Sequence, residues 1–589
     1  MNLPVDETRR LLTVEDLPYF NRDLLGSTET LTGIGSGPIG GKASGLAHIR
    51  KSLLSQVKGP GFGDVLLCIP TMTVIGTDVF DTFMHMNHLN DIALSETSTD
   101  RIAHAFHRAD FPSEIIGDLR GLIEKVHTPL AVRSSSLLED AMYRPFAGVY
   151  ATKMIPNNQP DADSRFHLLI DAIKLVYAST FSKSAKDYLL AAGQEPGTEK
   201  MAVIVQEVIG RRHGERFYPD ISGVARSYNF YPFGHPEPED GVVSLALGLG
   251  RTIVDDGISW NYSPAYPSAV PPFNSTSDLL KRTQTEFWAV NMGKPPEHDP
   301  LRETEYLFKG NLADAELDGT LKQIASTYQS RNDRIVMGIG ADGPRVLDFA
   351  PLLRLDEIPF TEVIQKMLEV SKRDTGVEVE IEFAVSIDPS SSPEVRFGFL
   401  QVRPMVVSHQ KVEVSEDELM GQEVLLASET IMGNAAIADI QDIVYVKPER
   451  FQARDTRQIA AELDEINRNA LASDFKYLLI GFGRWGSSDP WLGIPVNWGQ
   501  ISATGVLVEA TLPDMDVELS QGSHFFHNLS SFGVCYLSVH HAGRYQIDWS
   551  WLNRQPVIDE TEYVRHVRPA NPLQIRVDGK NRRGVVRHG

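Results

Sequence analysis

Lys42 stands in the stretch Pro38 to Leu46, PIGGKASGL, where a glycine pair runs into a lysine and then into small residues. Glycines allow a ligand close to the backbone, and a lysine ammonium is a compact charge suited to phosphate. The pattern is therefore a candidate phosphate grip. It is not a Walker loop, G-x-x-x-x-G-K-[ST], because Ser36 stands where the first glycine is needed and Ala43 where a hydroxyl must hold a metal ion. Taken alone, the stretch reads equally well as a tight turn with a solvated lysine.

Two further clusters carry the same kind of chemistry. In AVRSSSLLEDAMYRPFAGVYAT, residues 131–152, a strand delivers Arg133, a planar donor fork for phosphate oxygens, and Ser134 to Ser136 follow as neutral donors. The bland alternative is an exposed arginine ahead of a serine-rich cap. Further on, Glu380 and Glu382 alternate in VEIEFAV, and Gln401 and Arg403 alternate in FLQVRP. Each pair shares one side of its strand. If Glu380 lies opposite Arg403 in an antiparallel hairpin, Glu382 falls opposite Gln401. Two carboxylates and an amide carbonyl are hard oxygen ligands for Mg²⁺, with Arg403 beside them to balance phosphate charge. The alternative is a solvated strand face whose cross-strand ion pair contributes about 0.2–1 kcal/mol.

The elements that must position these residues are short apolar strands alternating with amphipathic helices, without internal repeats or low-complexity tracts. That pattern predicts mixed α/β domains. Strands are expected at Leu130–Val132 and Met201–Gln206, helices at Phe166–Thr180 and around Ile364–Lys372, and a hairpin at Val377–Ile387 and Val395–Arg403 around the turn-rich DPSSSPE. The expected domains are residues 1–220, 221–410 and 411–589. The chain has 589 residues, a net charge of −22 and only two cysteines, Cys68 and Cys535. The negative charge argues against nucleic-acid binding, which needs cations for phosphates, and two cysteines in so long a chain point to a reducing compartment. The segment MNLPVDETRR has no apolar core for a signal peptide, and no apolar run approaches the ~20 residues of a membrane span. A cytoplasmic protein with no membrane partner is expected; a homo-oligomer remains open.

In this order the clusters resemble the amino-terminal ATP-binding domain of the phosphoenolpyruvate synthase and pyruvate phosphate dikinase family, an ATP-grasp fold. The residues that carry the resemblance are GGKASGL at 40–46, VRSSSLLED with PFAG within 132–148, VIVQEVIG at 203–210, SGVA at 222–225, LGLG at 247–250 with Val254 and Gly257, and IEFAV with LQVRP at 381–385 and 400–404. The resemblance implies that Lys42 and Arg133 hold nucleotide phosphates and that the PFAG loop ending at Gly148 closes over them. It implies that Gln206, Glu207 and Val208 form a hinge against adenine, that Glu382 and Gln401 hold Mg²⁺ with Glu380 nearby, and that Arg403 stabilises the transferring group. ATP and Mg²⁺ are the implied cofactors and phosphoryl transfer the implied chemistry. An ATP-sensing module without turnover and an ATP-grasp ligase are the alternatives.

The resemblance covers roughly the first 405 residues. The family's phosphohistidine and barrel signatures are not visible beyond them, and Arg251 replaces the acidic residue expected after LGLG. The remainder is expected to be a separate α/β domain of unknown fold that receives the phosphoryl group or binds a small-molecule or protein acceptor. Two features there are candidates. Gly481-Phe-Gly483-Arg-Trp-Gly486 matches a dinucleotide fingerprint, but Pro490 and Pro495 follow where a helix is required. Arg484, Ser487, Ser488 and Asp489 are left as an acceptor pocket or as neighbours of the packing tryptophans Trp485, Trp491 and Trp498. In SQGSHFFH, His524 follows glycine and serine at a possible helix start, where a phosphorylated imidazole would be favoured. A histidine bonded to backbone beside an aromatic pair is the competing reading.

Overall fold

The computed structural model describes residues 12–21, 30–56, 65–139, 148–230, 232, 235–254, 257–269, 273, 275–355, 357–390, 394–405, 407, 412–421, 423–487, 489, 491–513, 515, 529 and 532–589. Two compact units result, the first holding most of the chain up to Pro404 and the second most of it from Met405 on; residues 187–194 and 229–232 group with the second.

Two sheets frame the first unit. One has the order β1 (Leu31–Ile34), β3 (Met72–Ile75), β6 (Met201–Glu207), β4 (Leu130–Ser136), β5 (Thr152–Ile155). The other has the order β9 (Trp260–Tyr262), β8 (Val242–Ala246), β7 (Ile221–Arg226), β10 (Val379–Ile387), β11 (Val395–Pro404), β2 (Val65–Cys68). The chain thus lends β2, from its early part, to the edge of the later sheet, where it runs parallel to β11.

Helix α1 (Gly40–Gln56) turns Ala43, Leu46, Ile49 and Leu53 into the core. This three- to four-residue spacing gives one apolar stripe. Two of its three glycines, Gly40 and Gly45, let it approach both sheets. A Cβ on Gly40 would lie 1.8 Å from the Ser135 carbonyl oxygen of β4, and one on Gly45 would lie 3.4 Å from the Val402 carbonyl oxygen of β11. Gly40 also has φ +74, which glycine adopts without strain. Helix α2 (Ala162–Ser179) is capped by Asp161, whose side chain accepts from Ser164 N at 2.6 Å. Helix α3 (Phe360–Thr375) buries Phe360, Val363, Ile364 and Met367 against Ile381, Phe383, Phe397 and Phe399 of the hairpin β10–β11, and stops at Gly376 in the left-handed conformation.

The second unit is itself α/β. Its seven-stranded sheet has the order β12 (Ile431–Met432), β16 (Cys535–Val539), β15 (Thr504–Ala510), β14 (Tyr477–Phe482), β13 (Asp442–Val446), β18 (Val564–Val567), β17 (Val557–Glu560). The four strands from β16 to β13 are parallel, with α4 (Thr456–Ala472) between β13 and β14 in the chain. Strand β14 is buried along its whole length, as parallel strands covered on both faces are. Among the described residues no helix directly follows Gly486; Arg484 and Trp485 pair with Gly493 and Ile494 instead. Trp485 and Trp498 pack inside, whereas Trp491 is exposed. Among the described residues no helix is long and apolar enough to cross a membrane.

Candidate functional site

The first turn of α1 sets Lys42 against β4. Its Nζ donates to Glu139 Oε1 at 2.8 Å and to Ser134 Oγ at 3.2 Å. Glu139 is 1 % exposed and also accepts from Ser134 Oγ and from Ser136 N, both at 2.9 Å. The three serines lie within β4, fully buried, and their hydroxyls serve the protein. Ser135 Oγ donates to Ile39 O and accepts from Ala43 N, fastening the start of α1 to the strand. Close to Ser136 and Glu139 lies Glu199, also buried, whose carboxyl accepts from Leu138 N. Burial, aided by the nearby Glu139 charge, raises this carboxyl to about 7 against the hydrogen bonds from Ser136 and the backbone.

The hairpin pairs Glu380 with Arg403 and Glu382 with Gln401. Between this pairing and Phe383–Phe399 the register shifts by one, leaving Leu400 as the extra residue of a β-bulge. Phe397, Phe399, Gln401 and Arg403 have the same odd parity, so a regular strand would send all four to one face. The bulge resolves this conflict, placing Val402 in the core with the two phenylalanines and Gln401 and Arg403 with the glutamates.

On that face the charges interlock. Arg403 Nη1 lies 3.2 Å from Glu380 Oε1, and its Nη2 donates to Glu382 Oε1 at 2.8 Å. From the next strand, β7, Arg226 Nε donates to Glu380 Oε2 at 2.6 Å. From the other sheet Arg133 reaches across, its Nη2 donating to Gln401 Oε1 at 2.7 Å and to Glu382 Oε2 at 3.1 Å. Its Nη1 donates to the bulged Leu400 carbonyl at 3.3 Å and to Gln206 Oε1 at 3.4 Å. Arg133, Glu382, Gln401 and Arg403 therefore meet in one cluster, and Lys42 bonds to Ser134, the neighbour of Arg133 in the chain.

The remaining expected residues lie around this cluster or apart from it. Gln206 is 2 % exposed and its Nε2 has no hydrogen-bond partner among the described residues. Glu207 N and Val208 N donate to Thr71 O and Pro129 O, so these two N–H groups are already engaged. Gly148 has φ +66; Pro145 to Ala147 lie outside the described residues, as do His524 and Ser488. Arg251 stands 3.9 Å from Glu303, which accepts from Thr152 N, and over the Trp288 ring. In the second unit, Ser487 and Asp489 form a local turn with each other.

Sequence reasoning missed Glu139, Glu199 and Arg226. Glu139 sits inside the quoted VRSSSLLED, and Arg226 follows SGVA directly, but no local pattern reveals that β7 is the second neighbour of β10. The bulge was signalled, by the shared parity of two core phenylalanines and two polar site residues.

With this arrangement in view, the model of the pyruvate phosphate dikinase AMP/ATP-binding domain matches residues 37–423 of the chain. The chain belongs to this family. The match contains Lys42, Arg133, Gln206, Arg226 and the whole hairpin. No curated protein matches the chain. At the level of the family, the first unit is an ATP-grasp-like AMP/ATP-binding domain of the dikinase type.

The cluster fits the groups that the family implies. Glu382 and Gln401 already converge on one cationic nitrogen of Arg133, so their oxygens can share a cation. The orphaned amide of Gln206 is a buried donor beside the same guanidinium. Among the described residues no three His, Cys, Asp or Glu side chains are arranged to hold a metal ion, so a metal here would rest on Glu382, Gln401 and the nucleotide. Glu380 is directed elsewhere: it is 4 % exposed, and its two oxygens face Arg226 and Arg403.

Proposed function

We propose that the chain is an ATP- and Mg²⁺-dependent phosphotransferase that activates ATP in the manner of a dikinase. The observation that carries this reading is the meeting of Arg133 from one sheet with Glu382, Gln401 and Arg403 from the other. Three cations, Lys42, Arg133 and Arg403, suit a polyphosphate, and each is paired with a protein carboxylate that a phosphate can replace. Arg133 would exchange Glu382 for nucleotide oxygens, and Lys42 would exchange Glu139. Arg403, set between Glu380 and Glu382, would offset charge on the transferring group. Mg²⁺, held by Glu382 and Gln401, would supply neutralisation of the phosphate oxygens. Glu380 was expected near the metal; its place between two arginines supports an orienting role. The acceptor is a small molecule or a protein, with His524 the candidate for a phosphorylated intermediate.

Purified protein with Mg²⁺ and ATP labelled separately at the β and γ positions tests the reading. Formation of AMP or ADP that depends on Lys42 and Arg133 supports it. If neither forms with any candidate acceptor, the enzyme reading fails. Acid-labile label on the protein that vanishes in His524→Ala would establish the phosphohistidine route. The exchange of carboxylate for phosphate partners also favours a second reading, nucleotide sensing without turnover; tight ATP binding with no product would select it.

A further inference from the structure

We propose that Arg226 is a positioning residue of the nucleotide site, holding Glu380 so that Glu380 orients the Arg403 guanidinium. The inference rests on the nucleotide reading above. Arg226, Glu380 and Arg403 occupy one cross-strand row on β7, β10 and β11, in register. The row beside it is Val224, Glu382 and Gln401. Cross-strand neighbours stand about 4.5–5.5 Å apart at Cβ, so the backbone itself delivers each charge to the next.

From Arg226 a chain of alternating charges runs through Glu380, Arg403 and Glu382 to Arg133, with contacts of 2.6, 3.2, 2.8 and 3.1 Å. It begins in the middle of one sheet and ends on the other. The middle links are the most buried, Glu380 and Arg403 having side chains 5 % and 4 % exposed. A buried carboxylate between two guanidiniums divides its oxygens between them. Without Arg226, Glu380 loses the guanidinium that holds its Oε2, and its carboxylate turns further toward Arg403, drawing it from Glu382 and from the phosphate it must meet. Arg226 acts through Glu380 and needs no contact with the nucleotide, which makes it separable from the phosphate-gripping residues.

The test compares ATP and ADP binding, by calorimetry at saturating Mg²⁺, in the full chain and in Arg226→Gln, Arg226→Lys, Glu380→Gln and the double variant R226Q/E380Q. Arg403 is assigned to the transferring phosphoryl group, so R226Q should lower the ATP-to-ADP affinity ratio about tenfold while ADP affinity stays within about twofold. This is the size of one charge-assisted hydrogen bond. E380Q and the double variant should show the same factor as R226Q, because the two residues act in series. R226K, which keeps the charge, should recover most of the ratio, and it carries the test if R226Q fails to fold. Equal weakening of both nucleotides, an unchanged ratio in R226Q and R226K, or additive losses in the double variant would overturn the proposal. A wild-type chain that binds neither nucleotide would instead sink the nucleotide reading, and one that binds both equally would overturn the assignment of Arg403 to the transferring group.

Discussion

Replacing Lys42 by methionine separates two roles that one ammonium plays. In the structure it neutralises Glu139, a carboxylate with 1 % of its side chain exposed, at 2.8 Å. Removing one partner of a buried ion pair costs about 3–5 kcal/mol, and Glu139 keeps donors from Ser134 and Ser136, which places the expected loss near the lower figure. At an unfolding entropy of ~2.1 cal/mol/K per residue, a loss near that lower figure lowers the melting transition of a unit this large by about 4 °C. The second loss falls on the nucleotide: one charge-assisted contact to phosphate is worth about 1.5–3 kcal/mol, or roughly a 10- to 150-fold weaker ATP affinity. Adding Glu139→Gln removes the uncompensated charge, so K42M/E139Q should regain most of the melting temperature and none of the ATP affinity. E139Q alone should bind ATP several-fold more tightly, since the lysine loses its resident competitor. Thermal melts and ATP calorimetry on the four proteins complete the cycle. If the double variant binds ATP like the wild type, Lys42 is not a phosphate ligand. If K42M melts no lower than the double variant, the buried pair is not the stabilising contact described here.

Three other outcomes follow from particular residues. Glu199, raised to about 7 by burial, stays protonated in the folded chain over a range where the unfolded carboxyl ionises near its ordinary 4.5. Folding then holds the extra proton, so stability falls as pH rises between these values, by up to ~1.4 kcal/mol per pH unit, and levels off above 7. Glu199→Gln should flatten that slope in unfolding measured from pH 4.5 to 8; parallel curves for the two proteins would refute it. Gly40→Ala meets both a positive φ and a carbonyl oxygen 1.8 Å away, so it should displace the start of α1, lowering the melting transition and ATP affinity together; a variant that binds ATP normally would show the helix start to be irrelevant. Glu382→Gln should raise the Mg²⁺ concentration needed for ATP binding at least tenfold, leaving metal-free binding within about threefold, read by calorimetry across a Mg²⁺ series.

Much of the first unit was legible because its elements obey simple periodicities. The paired glutamates, the glutamine and the arginine could be set in register from parity and antiparallel pairing alone, and the observed partners are Glu380 with Arg403 and Glu382 with Gln401. Helix α3 was legible as the helix expected around Ile364–Lys372, whose Ile364, Met367 and Leu368 are buried in the structure. Strand order was not, because a strand's neighbours depend on contacts far along the chain: Arg226 meets Glu380 across 154 positions. Nor was the fate of Ser134 to Ser136, which read as ligand donors and instead tie α1, Glu139 and β4 together. A hydroxyl's partner is decided by what packs over it. The second unit's sheet order and the site's internal neutralisation by Glu139 were hidden for the same reason.

The bulge at Leu400 also sets what length changes the hairpin can accept. Deleting that single residue would restore plain alternation with Phe399 and Val402 still packed inside and Gln401 and Arg403 still beside the glutamates, so a one-codon loss there would keep the facing of the site side chains and remove only the Leu400 carbonyl that accepts from Arg133. Insertions or deletions before Val395 likewise leave the phase beyond the bulge untouched. Drift in length is therefore confined to the turn at one end of the hairpin and to the bulge itself, whereas the loss of Val402 alone would turn Arg403 to the packed side.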